Sequence, residues 1–371
     1  MQRSRVYFTN LRTLPERNIL QKLDNLVRKA GMEEIDFTGQ YAAIKIHLGE
    51  PGNLAYLRPN FSRVVADIVR ELGGKPFLTD CNTLYAGRRK DALEHLDSAY
   101  ENGYNPFCTG CQVIIADGLK GSDESLVPVE GGEFVKEARI GRAVMDADII
   151  ISMTHFKGHE QSGFGGTVKN IGMGSGSRAG KMEMHSTGKL KVRQSKCRSC
   201  RKCFSACAHE AISFGGSGKA VIEMEKCVGC GRCLALCPFD AISPLNYESN
   251  EIMCKKMAEY TKAVLNGRPQ FHISFVIDVS PFCDCHVEND LPVVADVGIF
   301  ASKDPIALDQ ACADAVMKAP VISGSILDEK IKGCEKEDHF HTIHPDTHWQ
   351  TTLEHCEKLG IGTRNYELVE V

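Results

Sequence analysis

The chain has 371 residues, of which 43% are hydrophobic, and a formal net charge of −4. This length allows two or three domains with buried cores. No apolar run reaches membrane-spanning length and the charge balance is acidic, which excludes a transmembrane protein and argues against nucleic-acid binding. The seventeen cysteines would be at risk in an oxidising compartment, so we expect a cytoplasmic protein.

Strand and helix patterns alternate on both sides of a cysteine-rich segment. They predict strands at 41–47, 75–80, 112–118, 147–152, 272–279 and 292–297, and helices at 59–72, 89–102, 251–265 and 305–317. Alternation of this kind predicts an α/β fold with a largely parallel layered sheet and covering helices.

Two cysteine runs of identical spacing lie in the middle of the chain. They are Cys197, Cys200, Cys203 and Cys207, followed by Cys227, Cys230, Cys233 and Cys237. In the bacterial ferredoxin pattern, three close thiolates hold one cluster and the fourth reaches across to the other. We therefore predict two [4Fe–4S] clusters, with Cys237 completing the first set and Cys207 the second. Structural zinc is the alternative, but such sites normally use two CxxC pairs.

These runs also suggest how the chain is divided. Residues 190–247 form a predicted small α+β two-cluster ferredoxin domain, inserted into an α/β domain made of residues 1–189 and 248–371. The insertion carries nine Lys and Arg against four Asp and Glu, a net charge of +5. Its basic face, defined as Lys196, Arg198, Arg201 and Lys202, surrounds the first run. We expect it to steer an acidic ferredoxin or flavodoxin, the predicted electron donor, although a solvated basic surface is the alternative.

Polar side chains cluster where the predicted strands end, and ligands of open α/β sheets bind beyond the carboxyl ends of strands. The predicted catalytic residues are His155, Lys157, His159 and Lys169. The predicted cofactor-binding residues are Asp80, Asp117, Gly165, Gly166 and Asn170. We expect these groups to line one pocket that holds an unknown small molecule, with the inserted domain folded over its mouth.

A glycine-rich stretch at 163–181 could form an anion-binding loop completed by Lys169, Arg178 and Lys181. A flexible lid or tight packing of helix against strand is the alternative. A third thiolate metal site is conceivable if Cys108, Cys111, Cys283 and Cys285 converge, although buried free cysteines are common and a CxC pair is geometrically tight.

Seven motifs together resemble the domain-of-unknown-function 362 family over nearly the whole chain. They are residues 80–85, 115–118, 155–159, 163–166, 169–174, 283–285 and 304–309. The likeness is to the iron–sulfur centre subgroup with an inserted two-cluster ferredoxin, and it implies architecture and cofactors but no substrate. A weaker likeness, through His159, Gly163–Gly166 and Lys169, is to the N-terminal domain of lactate racemase, and it implies a cofactor-contacting or modified Lys169.

Two functions fit these observations. The first is an iron–sulfur oxidoreductase that passes single electrons through two [4Fe–4S] clusters to a small molecule bound in the α/β domain. The second is a non-catalytic electron-transfer or cluster-delivery protein that docks a client protein. An enclosed polar pocket would favour the first, and a flat, pocketless sheet edge would favour the second.

Overall fold

The computed structural model describes residues 3–85, 87–186, 189–207, 209–227, 232–235, 237–239, 241–265, 267–331 and 338–371. Within these ranges, none of the helices is both long enough and apolar enough to cross a membrane.

The strands of the described residues fall into one large sheet and four two-stranded pairs. In chain order they are β1 (Ser4–Asn10), β2 (Tyr41–Ile46), β3 (Lys75–Asp80), β4 (Gln112–Ile115), β5 (Glu124–Pro128), β6 (Glu137–Gly141), β7 (Ile149–His155), β8 (Lys157–His159), β9 (Gly163–Gly165), β10 (Leu190–Val192), β11 (Ile212–Phe214), β12 (Ala220–Ile222), β13 (Ile242–Pro244), β14 (Gln270–Val276), β15 (Gly298–Ser302) and β16 (Tyr366–Glu370).

The helices alternate with the strands of the large sheet. In chain order they are α1 (Ile19–Lys29), α2 (Pro59–Glu71), α3 (Ala92–Glu101), α4 (Pro106–Thr109), α5 (Arg142–Asp146), α6 (Thr167–Ser175), α7 (Arg178–His185), α8 (Lys202–Ala206), α9 (Arg232–Ala235), α10 (Asn250–Leu265), α11 (Pro305–Lys318), α12 (Ile326–Ile331), α13 (His339–Ile343) and α14 (Gln350–Lys358), with one 3₁₀ turn at Met32–Glu34.

The large sheet has eight strands in the order β16-β1-β15-β14-β7-β2-β3-β4. Only β15 runs antiparallel to its neighbours, β1 and β14, and the other adjacent pairs are parallel. The predicted α/β fold with a largely parallel sheet is therefore confirmed. Because β2, β3, β4, β7 and β14 point the same way, their carboxyl ends meet at one edge of the sheet.

Both faces of the sheet are covered. Ile44 and Ile46 of β2 pack into the core beneath α1 and α2, whereas Ala43 belongs to the core on the opposite face, which includes α10. Lys45 also points to that opposite face, where its ammonium donates to Asn170 of α6 at 2.9 Å. The alternation of β2 therefore directs one charged side chain of an inner strand towards α6.

Most predicted elements agree with the structure to within a few residues, but two expectations were wrong. Residues 292–297 were predicted as a strand, yet the strand begins only at Gly298. Val293 and Val294 are buried without joining the large sheet, because their contacts are with the Val279 and Val321 segments. The glycine-rich stretch is also not a loop beyond its first residues, since α6 and α7 occupy most of it.

Residues 190–244 contribute two of the two-stranded pairs and no described strand of the large sheet. β10 pairs with β13, and β11 pairs with β12. We call this segment the cysteine module. Its small core holds Cys203, Cys233 and Cys237, together with Met182 of α7 from the α/β part.

Candidate functional site

A cavity of about 490 Å³ opens at the carboxyl ends of β2, β3 and β7. Its wall contains seven of the nine residues predicted from the sequence to be catalytic or cofactor-binding. These seven are Asp80, Lys157, His159, Gly165, Gly166, Lys169 and Asn170. The predicted convergence of strand ends and glycine-rich stretch therefore occurs at one place.

Two predicted residues lie outside the wall. His155 is buried behind it, with Nδ1 2.9 Å from an oxygen of Asp284 and Nε2 2.9 Å from the carbonyl oxygen of Ile277. Asp117 is also buried, and it accepts from the backbone and side-chain amides of Asn82. Burial raises the pKa of Asp117 to about 6. Both side chains bond to neighbouring segments of the protein and neither lines the cavity. The prediction that they contact a ligand was therefore wrong.

The segment 155–159 forms a cradle for the segment that carries Cys283. The amide of Gly158 donates to the carbonyl of Ser280 at 2.8 Å. A Cβ at Gly158 would lie 2.3 Å from the Pro281 carbonyl oxygen, so only glycine allows this approach. Lys157 adds an ion pair of 3.2 Å to Asp284. The segment 155–159 thus fixes the position of Asp284, the residue between Cys283 and Cys285.

Cys283 is the thiol of the cavity wall that lies against a cation. The ammonium of Lys169 lies 3.1 Å from its sulfur. A hydrogen bond from the Cys285 thiol, the charge of Lys169 and a hydrogen bond from His159 together lower the pKa of Cys283 well below its ordinary value, against the opposing effect of burial. The same coupling and burial raise the pKa of Cys285. Cys283 is thus the thiolate of the pair, and Cys285 keeps its proton.

The tautomer of His159 follows from its backbone contacts. Its Nδ1 accepts hydrogen bonds from the amides of Gln161 and Ser162, at 3.1 and 3.2 Å. A neutral ring then carries its proton on Nε2, which is free to donate towards Cys283. Two residues of the predicted catalytic set, Lys169 and His159, therefore act on one sulfur atom.

The glycines near α6 provide close packing rather than an anion-binding loop. A Cβ at Gly166 would lie 2.5 Å from Asp309. That carboxylate accepts from the first amides of α6, those of Thr167 at 2.6 Å and Val168 at 2.9 Å. The amides that would have held an anion are already bound. Of the three cations expected there, Lys169 and Lys181 line the cavity, whereas Arg178 donates to the carbonyl oxygen of Lys90 outside the wall.

The opposite side of the cavity is held by buried ion pairs. Lys45 lies 3.0 Å from Asp80, and Arg89 lies 2.7 Å from Glu50. Burial alone would raise the pKa of Asp80, but the charge of Lys45 holds it below its ordinary value. Asp80 is therefore a paired carboxylate.

Sequence reasoning missed several members of the wall. The sequence predicted Cys283 and Cys285 to be metal ligands or buried free thiols, and it gave no role to Lys45 or His185. Burial, with the charge of Lys169, lowers the pKa of His185 to about 4, so this ring is neutral near pH 7. The signal for Lys45 was a charged residue between Ile44 and Ile46 in a strand with apolar neighbours on both faces.

The cysteine module contains a second, smaller cavity. Four of the predicted cluster ligands line it, namely Cys197, Cys200, Cys203 and Cys237. They are the set that the crossed ferredoxin pattern assigns to one cluster. The cavity measures about 20 Å³, close to the space for one water molecule, so a cubane would need outward rotation of the thiol side chains.

Backbone amides point at the two crossing cysteines. The amide of Ala211 donates to the Cys207 sulfur at 3.4 Å, and that of Ala241 donates to the Cys237 sulfur at 3.3 Å. Such donors are one means of tuning a cluster. Cys230 lies outside the described residues. Among the described residues, no group of three or more His, Cys, Asp or Glu is arranged to hold a single metal ion. A cubane needs its thiolates farther apart, because each binds a different iron atom.

The module shares residues with the cavity wall. Met182 of α7 belongs to the core of the module, while Lys181 and His185 of the same helix line the cavity. Leu84 packs against the module core and also lines the cavity. The ammonium of Lys189 donates to the carbonyl oxygens of Met224 and Cys227, both at 2.8 Å. The side of the module that carries Cys227 and Cys233 thus packs against Lys189 and α7, and Lys181 and His185 of that helix line the cavity.

The four thiols of the conceivable third site do not converge. Cys108 is exposed in α4, and Cys111 is buried just before β4, at the amino end of that strand. Cys283 and Cys285 line the cavity at the opposite, carboxyl edge of the sheet. Cys283 and Cys285 therefore need another explanation.

The family model described as "Domain of unknown function (DUF362)" matches residues 42–314. A curated relative, named as a thylakoid-associated protein of Synechocystis sp., is 29% identical over 127 residues, which make up 33% of this chain and 34% of that protein. The chain therefore matches only about a third of the length of this relative.

Two solved structures are similar at low TM-score. The lactate racemase apoprotein from Thermoanaerobacterium thermosaccharolyticum has 11% identity and a TM-score of 0.38, covering 74% of this chain and 51% of that one. A Thermotoga maritima protein solved by a structural genomics consortium has 11% identity and a TM-score of 0.34, covering 71% and 50%. The chain thus spans about half of each, and likenesses at these TM-scores carry no argument about activity.

Proposed function

The chain belongs to the DUF362 family, and within it we propose an iron–sulfur oxidoreductase that delivers single electrons to a small molecule in the cavity. The family description assigns no activity, so the proposal depends on this chain's own residues. Two [4Fe–4S] clusters, held by the eight cysteines of the two runs, would supply and store the electrons. This assignment would place the chain in the iron–sulfur subgroup with an inserted two-cluster ferredoxin.

The observation that carries the proposal is the double role of α7. One face of this helix, through Met182, completes the core of the cysteine module, and another, through Lys181 and His185, forms the cavity wall. An electron source and an acceptor must lie close together for direct transfer. A carrier that only docks a client protein would not need this cavity of about 490 Å³ beside its cluster module.

The charges in the wall favour an acidic small molecule. Lys181 donates to the carbonyl oxygen of Gly176 at 2.7 Å rather than to a carboxylate, so its charge remains available to a ligand. Lys169 also lines the cavity, where its ammonium lies 3.1 Å from the Cys283 sulfur. His185, neutral near pH 7, and the Cys285 thiol are candidates to exchange a proton with the bound molecule.

The electron donor in this proposal is an acidic ferredoxin or flavodoxin that docks on the basic face. Lys196, Arg198 and Lys202 are exposed there. Arg201 has a structural contact, since its guanidinium lies 5.0 Å from the centre of the Phe214 ring. The many thiols make the reducing cytoplasm the proposed compartment.

The test is anaerobic purification of the full chain, followed by iron and sulfide analysis. We expect about eight iron atoms and eight sulfides per chain, with visible absorbance that bleaches on reduction. Iron and sulfide near zero, with stoichiometric zinc, would overturn the proposal. Mass spectrometry of the same preparation would identify any acidic molecule that co-purifies in the cavity.

A further inference from the structure

The two cavity cysteines lie in one tight turn. The amide of His286 donates to the carbonyl of Cys283 at 3.0 Å, which makes Asp284 and Cys285 the central residues of a β-turn. A turn of this kind brings the α-carbons of Cys283 and Cys285 to a separation that a disulfide can span. Both residues line the cavity.

Contacts to the central residue Asp284 fix the position of this turn, and the two cysteines on either side of it line the cavity. Asp284 is fully buried between His155, at 2.9 Å, and Lys157, at 3.2 Å. These two contacts engage the side chain of Asp284 away from the cavity, whereas Cys283 and Cys285 line it.

The sulfur of Cys283 is surrounded by hydrogen-bond donors. Lys169 approaches it to 3.1 Å, and His159 and the Cys285 thiol donate to it as well. Donors of this kind stabilise a thiolate, which is the reactive form in thiol–disulfide exchange. A second thiol two residues away can resolve a mixed disulfide once it gives up its proton.

We propose that Cys283 and Cys285 form a redox-active dithiol whose substrate is a small disulfide carrying acidic groups. The Cys283 thiolate attacks one sulfur of R–S–S–R, a Cys283–S–S–R bond forms, and R–S⁻ leaves. Cys285 then gives up its proton and attacks the Cys283 sulfur, and the second R–S⁻ leaves and takes that proton. The cysteine pair loses two electrons and the substrate gains two.

Two observations define this substrate class. The resolving thiol distinguishes disulfide exchange from simple addition of a thiolate to carbon, which needs only one cysteine. Lys181 lines the same cavity and donates to a backbone carbonyl rather than to a carboxylate, so its charge favours a carboxylate on the substrate. The inference rests on the proposed function for turnover, since each cycle needs two electrons to restore the dithiol, but the exchange itself needs none.

The sequence makes the test direct. Trypsin does not cut at Arg268 because Pro269 follows, so one peptide, 263–303, contains Cys283 and Cys285 and no other cysteine. The peptide 71–88 contains Cys81 alone, for the same reason at Lys75. Cys81 is a matched control, because it lines the same cavity and both it and Cys283 are 1% exposed. The Cys81 thiol donates to the Ser175 carbonyl at 3.3 Å, and burial raises its pKa.

The experiment incubates the anaerobic, cluster-containing protein with oxidised glutathione, quenches with acid, alkylates the remaining thiols and digests with trypsin. We expect the 263–303 peptide to gain an internal disulfide while the 71–88 peptide keeps a free thiol. Cystamine, a cationic disulfide, should react at least about tenfold more slowly, since the cavity lysines repel it.

Variants separate the two cysteines. Cys285→Ser should stop at a glutathione adduct on Cys283, and Cys283→Ser should give neither product. Free thiols in the wild-type 263–303 peptide would overturn the inference, as would equal modification of Cys81. Iron content of the same samples keeps the two proposals apart: an inert pair with iron present defeats only the dithiol, and an active pair without iron defeats only the electron-transfer proposal.

Discussion

The cysteine module and the cavity place sulfur in opposite surroundings. In the module, Cys200 is exposed while Cys203 and Cys237 are buried, and the sulfurs of Cys207 and Cys237 accept hydrogen bonds from neutral backbone amides. In the cavity, Cys283 is buried against the cation of Lys169. Thiols whose sulfurs accept from neutral amides suit ligands of a cluster, whereas a thiolate held by a buried cation suits covalent exchange.

The largest expected effect concerns the module alone. Cys237→Ala removes the crossing ligand of the first set, so we expect iron to fall from about eight to about four atoms per chain. Modification of the 263–303 peptide by oxidised glutathione should not change. Cys108→Ala, at an exposed thiol outside both regions, is the control and should keep full iron. If the spectral loss instead fell on the set containing Cys227 and Cys233, the ligation would not be crossed.

The next effect concerns the cavity alone. Lys169→Met removes the cation beside Cys283, and an opposite charge at this distance shifts a pKa by one to three units. We therefore expect labelling of Cys283 by iodoacetamide near pH 7 to slow on the order of a hundredfold. Lys181→Met, which removes a cation bonded to backbone carbonyls in the same wall, should change it far less. Equal slowing in both variants would show that general cavity charge, not the contact with Lys169, activates the thiol.

Exposed charge on the module should respond to salt. Reversal of Lys196, Arg198 and Lys202 to Glu, with Arg201 kept for its contact with Phe214, should slow reduction by an acidic ferredoxin about tenfold at low salt. The wild-type rate should fall with ionic strength, while that of the variant should not. Stopped-flow kinetics with unchanged salt dependence would make this basic face an ordinary solvated surface.

Buried charge near the cavity should instead respond to pH. The pKa of Asp117 is about 6 in the folded protein, above its ordinary value of 3.8. Its protonated form therefore stabilises the fold, fully at pH values below 3.8, and this contribution is lost as pH rises through 6. Between pH 5 and pH 8 the wild type should lose about 1 kcal/mol relative to Asp117→Asn. Denaturant unfolding of both proteins at pH 5 and pH 8 measures this difference in the free energy of unfolding. A difference that stays constant with pH would mean that Asp117 is already ionised at pH 5.

The sequence predicted what depends on short spacing. The α/β alternation and the membership of the DUF362 family are confirmed, and seven candidate residues do share one cavity wall. The rest depends on contacts between distant segments. Asp284 lies 129 residues from His155 in the sequence. Because the two side chains bond to each other, His155 has a structural role and not the predicted catalytic one. The sequence predicted that the first amides of α6 bind an anion. In the structure Asp309 accepts from them, and a contact between residues 142 positions apart cannot be deduced from local spacing.

In the proposed function, electrons move from the cysteine module to the cavity. The direct measurement reduces the clusters anaerobically, removes the reductant, adds oxidised glutathione and follows cluster absorbance by stopped flow. In the wild type we expect the clusters to be reoxidised, and in Cys283→Ser we expect reoxidation at least about tenfold slower with full iron content. Equal rates in the two proteins would show that the clusters lose their electrons without the cavity thiol, and would contradict the account.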